Sequence, residues 1–277
     1  MKTSLSTPPD TPKESFNVAP APGVRRPFGR SDAPRAALPD LTMQVSIDSH
    51  EPISKQIFRA LRHAIFTGQM VPGTSLSEKE VSDMFQVSRQ PVREAFIKLV
   101  EAGVLQVLPQ RGTLVKRISP RMVREGRFIR EAIETAVVRK AAEFISDGQL
   151  QLLVENLREQ KLAAKSNDTV AFLALDEAFH YSIAQSIDCI AAWDTIQDIK
   201  AQMDRVRYLS LPDVSPLDLL IQQHARILNA LRAHDSSAAE HAMRMHLREI
   251  LVSLGPIAAR NPNWFETDER ERVPLDT

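Results

Sequence analysis

The sequence predicts a mainly α protein in two parts: three short helices closed by a β-hairpin, then an all-α antiparallel helical bundle. Two observations carry the first part. Ile53, Ile57, Leu61 and Ile65 recur every four residues, the spacing of an amphipathic helix. Two short apolar runs, Val104–Leu108 and Thr113–Lys116, flank the turn signal Pro109-Gln110-Arg111-Gly112, as in a hairpin. The second part rests on the scarcity of glycine after residue 120, where only Gly126, Gly148 and Gly255 occur.

The elements follow in order. The first helix spans 53–67, and Gly68 and Pro72-Gly73 end it and turn the chain. Ser77 caps a second helix, with Glu80 three residues on as in a capping box. That helix turns Val81 and Phe85 inward. After the break Gln86-Val87-Ser88, a third helix runs from about Arg89 to Ala102, and Gly103 stops it. Three helices and a small hairpin are the pattern of a winged helix-turn-helix over 46–118.

Residues 119–257 read as six helices, each roughly 17–27 residues long on the spacing of the breaks. The breaks fall at Asp147-Gly148, Ser166-Asn167-Asp168, Ile187-Asp188, Pro212–Pro216 and His234–Ser237. Ser215-Pro216 is a helix start with proline at the first helical position. Residues 258–277 are polar and expected to fray. Residues 1–45 hold eight of the eighteen prolines and no apolar periodicity, so a disordered tail is expected. No apolar core of a secretory signal follows Met1.

Composition bounds the function. The 277 residues are 43% hydrophobic and 25% charged, ordinary for a globular chain of about two domains. No apolar run reaches ~18 residues, so no membrane span is expected. One cysteine, Cys189, excludes an internal disulfide framework and fits a reducing, cytoplasmic setting. The net charge of zero is a cancellation. Residues 46–120 carry ten basic and seven acidic side chains and residues 1–45 carry six and four, while residues 121–277 carry nineteen and twenty-four. The basic N-terminal part suits a polyanion.

The third helix has the residue types of a DNA-reading element. Arg89 and Arg93 are four apart and share a face, and arginine pairs bidentately with guanine. Gln90 can pair with adenine, and Ser88 can bond a phosphate and cap the helix. Arg111, Gly112 and Thr113 at the hairpin tip can approach a minor groove. The bland alternative is a solvated surface helix.

A second constellation lies in the bundle. Asp176 and His180 are i, i+4 on one helix. His224 precedes Asp235 by eleven residues and His246 follows it by eleven. If 217–233 and 237–255 form a hairpin turning at Asp235, the two imidazoles sit at one height. One carboxylate and three imidazoles then converge from three helices, a donor set for zinc, nickel or another borderline divalent ion. The alternative is four unrelated polar residues. His50, His63, His234 and His241 are expected at the surface.

The stretch from Gly68 to Val115 resembles the GntR family of bacterial transcription regulators, through "PG..L.E", "VSR.PVREA" and "L...G......RG..V". The resemblance implies that Lys79, Arg89 and Arg93 contact DNA with Ser88 and Gln90 beside them. It also implies wing contacts at Arg111, Gly112 and Thr113, and a dimer on a palindromic operator. Residues 122–252 resemble the FCD domain of the FadR subfamily, through "R..IE" at Arg130–Glu134, "LDEAFH", "QQHARILNAL" and "AMRMHL". That likeness implies a metal at Asp176, His180, His224 and His246, zinc first, with nickel or manganese as alternatives. It further implies a small organic or sugar acid as effector, with Arg130 as its clamp. The chain departs from the family at Ser186-Ile187-Asp188, where a small residue, glycine and asparagine are common. Asp188 there would repel an anion or select a hydroxyl-rich one. Arg205 in "DRVR" is a further candidate pocket cation, or a surface ion pair.

A ligand-responsive repressor is therefore the leading expectation. A metal-sensing regulator is one alternative, and a metal-dependent hydrolase carrying a DNA-binding module is another. The hydrolase needs a general base. Glu177 points roughly 100° away from Asp176 on a helix of ~3.6 residues per turn, and no other catalytic motif is present.

Overall fold

A computed structural model describes residues 38, 39, 41, 50–109, 112–211 and 216–267. The tail expected over 1–45 and the last ten residues fall almost wholly outside the described residues, as does Arg111.

The N-terminal unit holds α1 (Ile53–Phe66), β1 (Ser75–Leu76), α2 (Glu78–Phe85), α3 (Arg89–Glu101), β2 (Leu105–Leu108) and β3 (Gly112–Val115). The hairpin is joined by a third strand, giving the antiparallel order β1-β3-β2 with Leu76 opposite Thr113. β1 is two residues long, too short to leave an alternating pattern. The Ser77 hydroxyl caps α2 through the Lys79 amide at 3.2 Å, not through a box with Glu80. Helix α3 ends in a Schellman motif. Gly103 takes φ +70, its amide bonds Val100 O at 2.9 Å, and the Val104 amide bonds Leu99 O at 3.0 Å. Ile57, Leu61, Ile65, Val92, Phe96 and Leu99 form the core. Leu41, read as tail from sequence, is fully buried in that core.

The bundle holds α4 (Pro120–Phe144), α5 (Asp147–Lys165), α6 (Thr169–Gln185), α7 (Ile190–Ile199), α8 (Ala201–Ser210), α9 (Leu217–Arg232) and α10 (Ser236–Arg260). Among the described residues seven helices replace the six expected from sequence, because the chain breaks at Lys200 between α7 and α8. No glycine or proline marks that point. Tertiary contact does: Lys200 is 1% exposed and its ammonium reaches Glu177 and Asp204. Beside the break, a Cβ on Gly126 would lie 3.1 Å from the Ile199 carbonyl oxygen, so the glycine admits this close approach. Helix α9 begins at Leu217 with Pro216 as its N-cap, one residue later than expected.

Phe172, Phe179, Ile227, Leu231 and Met243 belong to the bundle core. A third cluster packs the linker residue Ile118 and the C-terminal Phe265 on the bundle, with Val123, Met203, Val206 and Leu254, while Ala201 of α8 enters the winged-helix core. This corrects the expectation of fraying from residue 258. Helix α10 continues to Arg260, Phe265 is buried, and the Ile118 amide bonds Trp264 O at 2.7 Å. Burial of Phe265 and two backbone bonds to Ile118 hold a segment whose composition is polar. No helix among the described residues is long and apolar enough to cross a membrane.

Candidate metal centre and DNA-reading helix

Asp176 and His180 project from one face of α6, His224 from α9 and His246 from α10. The α9–α10 turn lies at His234, φ +52, and Asp235 caps α10 by accepting from the Ser237 and Ala238 amides. All four side chains are buried, and one ligand atom from each lies within 4.8 Å of the others. His180 Nε2 is 3.1 Å from His246 Nε2, and His224 Nε2 is 3.3 Å from His246 Nε2 and 3.4 Å from Asp176 Oδ1. Atoms at the corners of a tetrahedron with bonds of 2.0–2.1 Å are separated by about 3.3 Å.

The surrounding residues decide which imidazole nitrogen carries hydrogen. Asn156 donates to Leu175 O at 3.0 Å, which leaves its Oδ1 to accept from Gln160 Nε2 at 2.8 Å. Gln160 Oε1 therefore faces His224 Nδ1 at 2.7 Å. In the same way Gln223 donates to Glu249 at 3.0 Å and turns its Oε1 to His246 Nδ1, also at 3.0 Å. His180 Nδ1 faces Glu134 Oε2 at 2.5 Å. A hydrogen-bond acceptor opposite Nδ1 of His224 and of His246 places the proton there, and the Glu134 carboxylate draws it to Nδ1 of His180 by charge. Three Nε2 lone pairs then point at one another beside a carboxylate. Neither Asp176 oxygen accepts a well-formed hydrogen bond among the described residues; its one strong contact is the ion pair with Arg207 Nη2. Such a set fits a divalent cation.

Electrostatics agree with that donor set. Burial pushes His224 down to about 3 and His246 well below the usual imidazole value, so both stay neutral, as metal ligands must. Burial alone would raise Asp176, but Arg207, His180 and His224 hold it well below the carboxylate range. Burial would likewise raise Glu134, and Arg130 with His180 brings it to about 2.

Two family models match the chain, "Bacterial regulatory proteins, gntR family" over residues 53–115 and "FCD domain" over residues 127–249. The HTH-type transcriptional repressor RspR of Escherichia coli K12 is 47% identical over 228 residues, 82% of this chain and all of that protein. The chain belongs to the GntR family of bacterial transcription regulators. A regulator from an unstable DNA locus of Streptomyces ambofaciens is 35% identical over 77% of this chain and 90% of its own length. The solved structure of E. coli McbR/YncC superimposes with a TM-score of 0.65 at 23% identity, over 74% of this chain and 97% of that one, and supports the fold. This GntR-family protein is thus a DNA-binding regulator with an FCD domain, in a family of regulators rather than enzymes. Glu177 accordingly faces away from the histidines, toward Lys200.

Several side chains expected at the sites sit differently. Arg205 is no part of the metal-side cavity. It is fully buried at the junction with the winged helix, where Nη1 donates to Lys116 O at 2.8 Å. Two residues further round α8, Arg207 reaches Asp176 instead. Arg130 lines the cavity beside His246, but its guanidinium is paired with Glu134. Asp188 is exposed in the turn after α6 at φ +55, a conformation asparagine and glycine favour, and lines neither cavity beside the cluster. Gln160, Gln223, Glu134 and Arg207 were missed. Glu134, Arg207 and Gln223 each lay inside a stretch already singled out, "R..IE", "DRVR" and "QQHARILNAL", whereas Gln160 carried no signal.

On the DNA-reading helix, Ser88, Arg89, Gln90 and Arg93 are all exposed at the start of α3. Ser88 is the N-cap, yet its hydroxyl makes no capping bond. Arg89 has no partner among the described residues. Arg93 is gripped bidentately by Glu78, Nε at 3.1 Å and Nη2 at 3.0 Å. Gln90 donates to Glu94 at 3.1 Å. Lys79 stands exposed in the first turn of α2, 3.6 Å from Asp83. Gly112 opens β3 at φ +81 with Thr113 beside it.

Proposed function

We infer that this protein is a cytoplasmic repressor that binds a palindromic operator as a homodimer. We assign its divalent ion, zinc, to Asp176, His180, His224 and His246. A small organic or sugar acid acts as effector beside Arg130. The observation that carries the assignment is the convergence of three Nε2 atoms beside Asp176, with Nδ1 of His224 and His246 each facing a glutamine oxygen and Nδ1 of His180 facing Glu134. The relationship to a repressor, RspR, supports the direction of control. The exposed Phe128 and Ile129 on α4 support a dimer face.

Lys79, Ser88, Arg89, Gln90, Arg93 and Gly112 are exposed and Thr113 is half-buried, on α2, α3 and the wing, which suits a recognition helix with flanking phosphate contacts. Arg111 belongs to the same reading from sequence. A bound ion would supply a cationic anchor for a carboxylate, and Arg130 and Arg207 line the adjacent cavity. An acid that favours one dimer arrangement would shift the spacing of the recognition helices.

The test is metal content and operator binding of purified protein. Wild type should carry about one ion per chain and His224→Ala far less, with the winged helix still folded. Full occupancy in the variant rejects the ligand set. An acid effector should change operator affinity several-fold; a panel of acids without effect removes the sensing role.

A second reading has its own support. The cavity beside His246, Arg130 and Arg207 measures about 30 Å³, the share of roughly one water molecule. An acid needs side chains to move aside, whereas an ion acting as the signal does not. Release of operator on chelation alone favours the ion.

A further inference from the structure

A larger cavity lies elsewhere, between the DNA-binding unit and the bundle. It measures about 260 Å³ and opens where α1 faces α6 over a floor made by α8. Helix α1 presents Arg59, Arg62, His63 and Phe66 to it, and α6 presents Val170, Leu173, Ala174 and Glu177. Each set has the i, i+3, i+4, i+7 spacing of one helix face, so two faces look at each other without packing.

The lining has two chemical halves. Phe66, Val170, Leu173 and Tyr208 supply apolar surface. The polar half is unevenly satisfied. Lys200 holds both carboxylates, Glu177 and Asp204, and Asp204 also takes Arg62 at 3.0 Å. The polar side chains that α1 turns to the cavity are less committed, Arg59 as a cation and His63 as an exposed ring donor. Arg59 is 56% exposed with Glu51 as its described partner, and the His63 ring has no partner among the described residues. The remaining demand is for an anion.

We propose that this junction cavity is a second small-molecule site, for an organic acid with a single ring or a branched carbon body. The carboxylate meets Arg59 and His63, and the carbon body meets Leu173, Phe66 and Tyr208. The volume lies just under the ~300–1,000 Å³ of small-ligand pockets, which favour domain junctions. Arg207 lines both this cavity and the one beside His246, and pairs with Asp176 between them. A ligand here touches both functional halves of the regulator, so it biases their relative placement.

The experiment is calorimetric titration of the full, metal-loaded chain with benzoate, phenylacetate and isovalerate. At least one probe should bind once per chain in the millimolar range or tighter. Ala174→Trp, filling the rim, should weaken it at least tenfold, and Arg59→Ala several-fold. His246→Ala should leave it within twofold, which separates this site from the metal-side one. Val170→Trp, at the same exposed rim, replaces Ala174→Trp if melting shows that variant unfolded. No binding by any probe, or wild-type binding in the folded rim variant, overturns the proposal. Binding lost in His246→Ala alone does so too, and assigns the acid to the metal-side cavity.

Discussion

The side-chain amide of Gln202 donates to the carbonyl of Gly103 at 2.6 Å, and Gly103 is the residue on which the DNA-reading helix ends. The same glycine packs against Met122 of α4, whose Cε lies 2.7 Å from where a Cβ would stand. The recognition helix is therefore held at its C-terminus by α4 and α8 of the bundle. Gln202→Leu takes the donor from that half-buried carbonyl and should cost about 1 kcal/mol. Thermal melting measures the loss, and an unchanged midpoint removes the anchoring role.

Gln160 tests the tautomer argument. Gln160→Leu takes the acceptor from His224 Nδ1 without touching a proposed ligand atom. Loss of an orienting partner typically weakens a metal site by about 10–100-fold. Competition against a chelator of known affinity gives the ratio, with the far-ultraviolet spectrum as a check on folding. Wild-type affinity means the imidazole is oriented by packing alone.

The buried imidazoles set the response to acid. The folded values of His224, about 3, and His246 lie below the ordinary 6.5. Between those limits the unfolded chain takes up protons that the folded one does not. Stability is therefore flat above pH 6.5 and falls as pH drops below it, by up to about 1.4 kcal/mol per pH unit per group. Glu134, lowered from 4.5 to about 2, adds stability that is complete above 4.5 and lost between 4.5 and 2. Denaturant melts across pH 4–8 should show the first decline beginning near 6.5. A decline that begins only at 4.5 would assign it to carboxylates.

Arg93 and Glu78 test the DNA-reading assignment. Arg93→Ala should cost ~1–3 kcal/mol in specific binding if it reads a base edge, and little in non-specific binding. Glu78→Gln removes the bidentate partner that orients Arg93 and an anion near the phosphates. It should raise non-specific affinity and shrink the ratio of specific to non-specific binding. Gel-shift titrations at two salt concentrations separate these effects. Equal losses on all sequences make Arg93 a phosphate contact.

Arg205 is a buried cation with a single acceptor. Its Nε and Nη2 have no hydrogen-bond partner among the described residues, and burial lowers its pKa to about 10. A buried charge without an opposite charge is costly, and apolar replacement is often neutral or stabilising. Arg205→Met should melt at the wild-type temperature or above it. A lower midpoint means that the bond to Lys116 O outweighs the desolvation cost.

Local rules carried much of the fold. Period-four apolar residues placed α1, Gly103 ended α3, and two eleven-residue spacings about Asp235 brought His224 opposite His246. Each is a statement about neighbours along one helix or across one turn, and such geometry is written in sequence spacing. Lys200 shows the limit. The helix breaks there through burial of an ammonium between Glu177 and Asp204, with no glycine or proline to announce it. Phe265 shows it again, an aromatic in a polar tail that is buried, with Trp264 half-buried, against the third core beside Ile118.

The sequence by itself determined the family, the two-part helical architecture and the four side chains that converge in the bundle. Tertiary structure decided how their charges are balanced. Arg205 and Arg207 are two residues apart on α8, about 200° around a helix of ~3.6 residues per turn. Either could face the cluster until the helix is docked. Packing turns Arg207 to Asp176 and Arg205 to the winged helix. Gln160 and Gln223 became partners of the imidazoles in the same way, through contacts between helices that no spacing along the chain encodes.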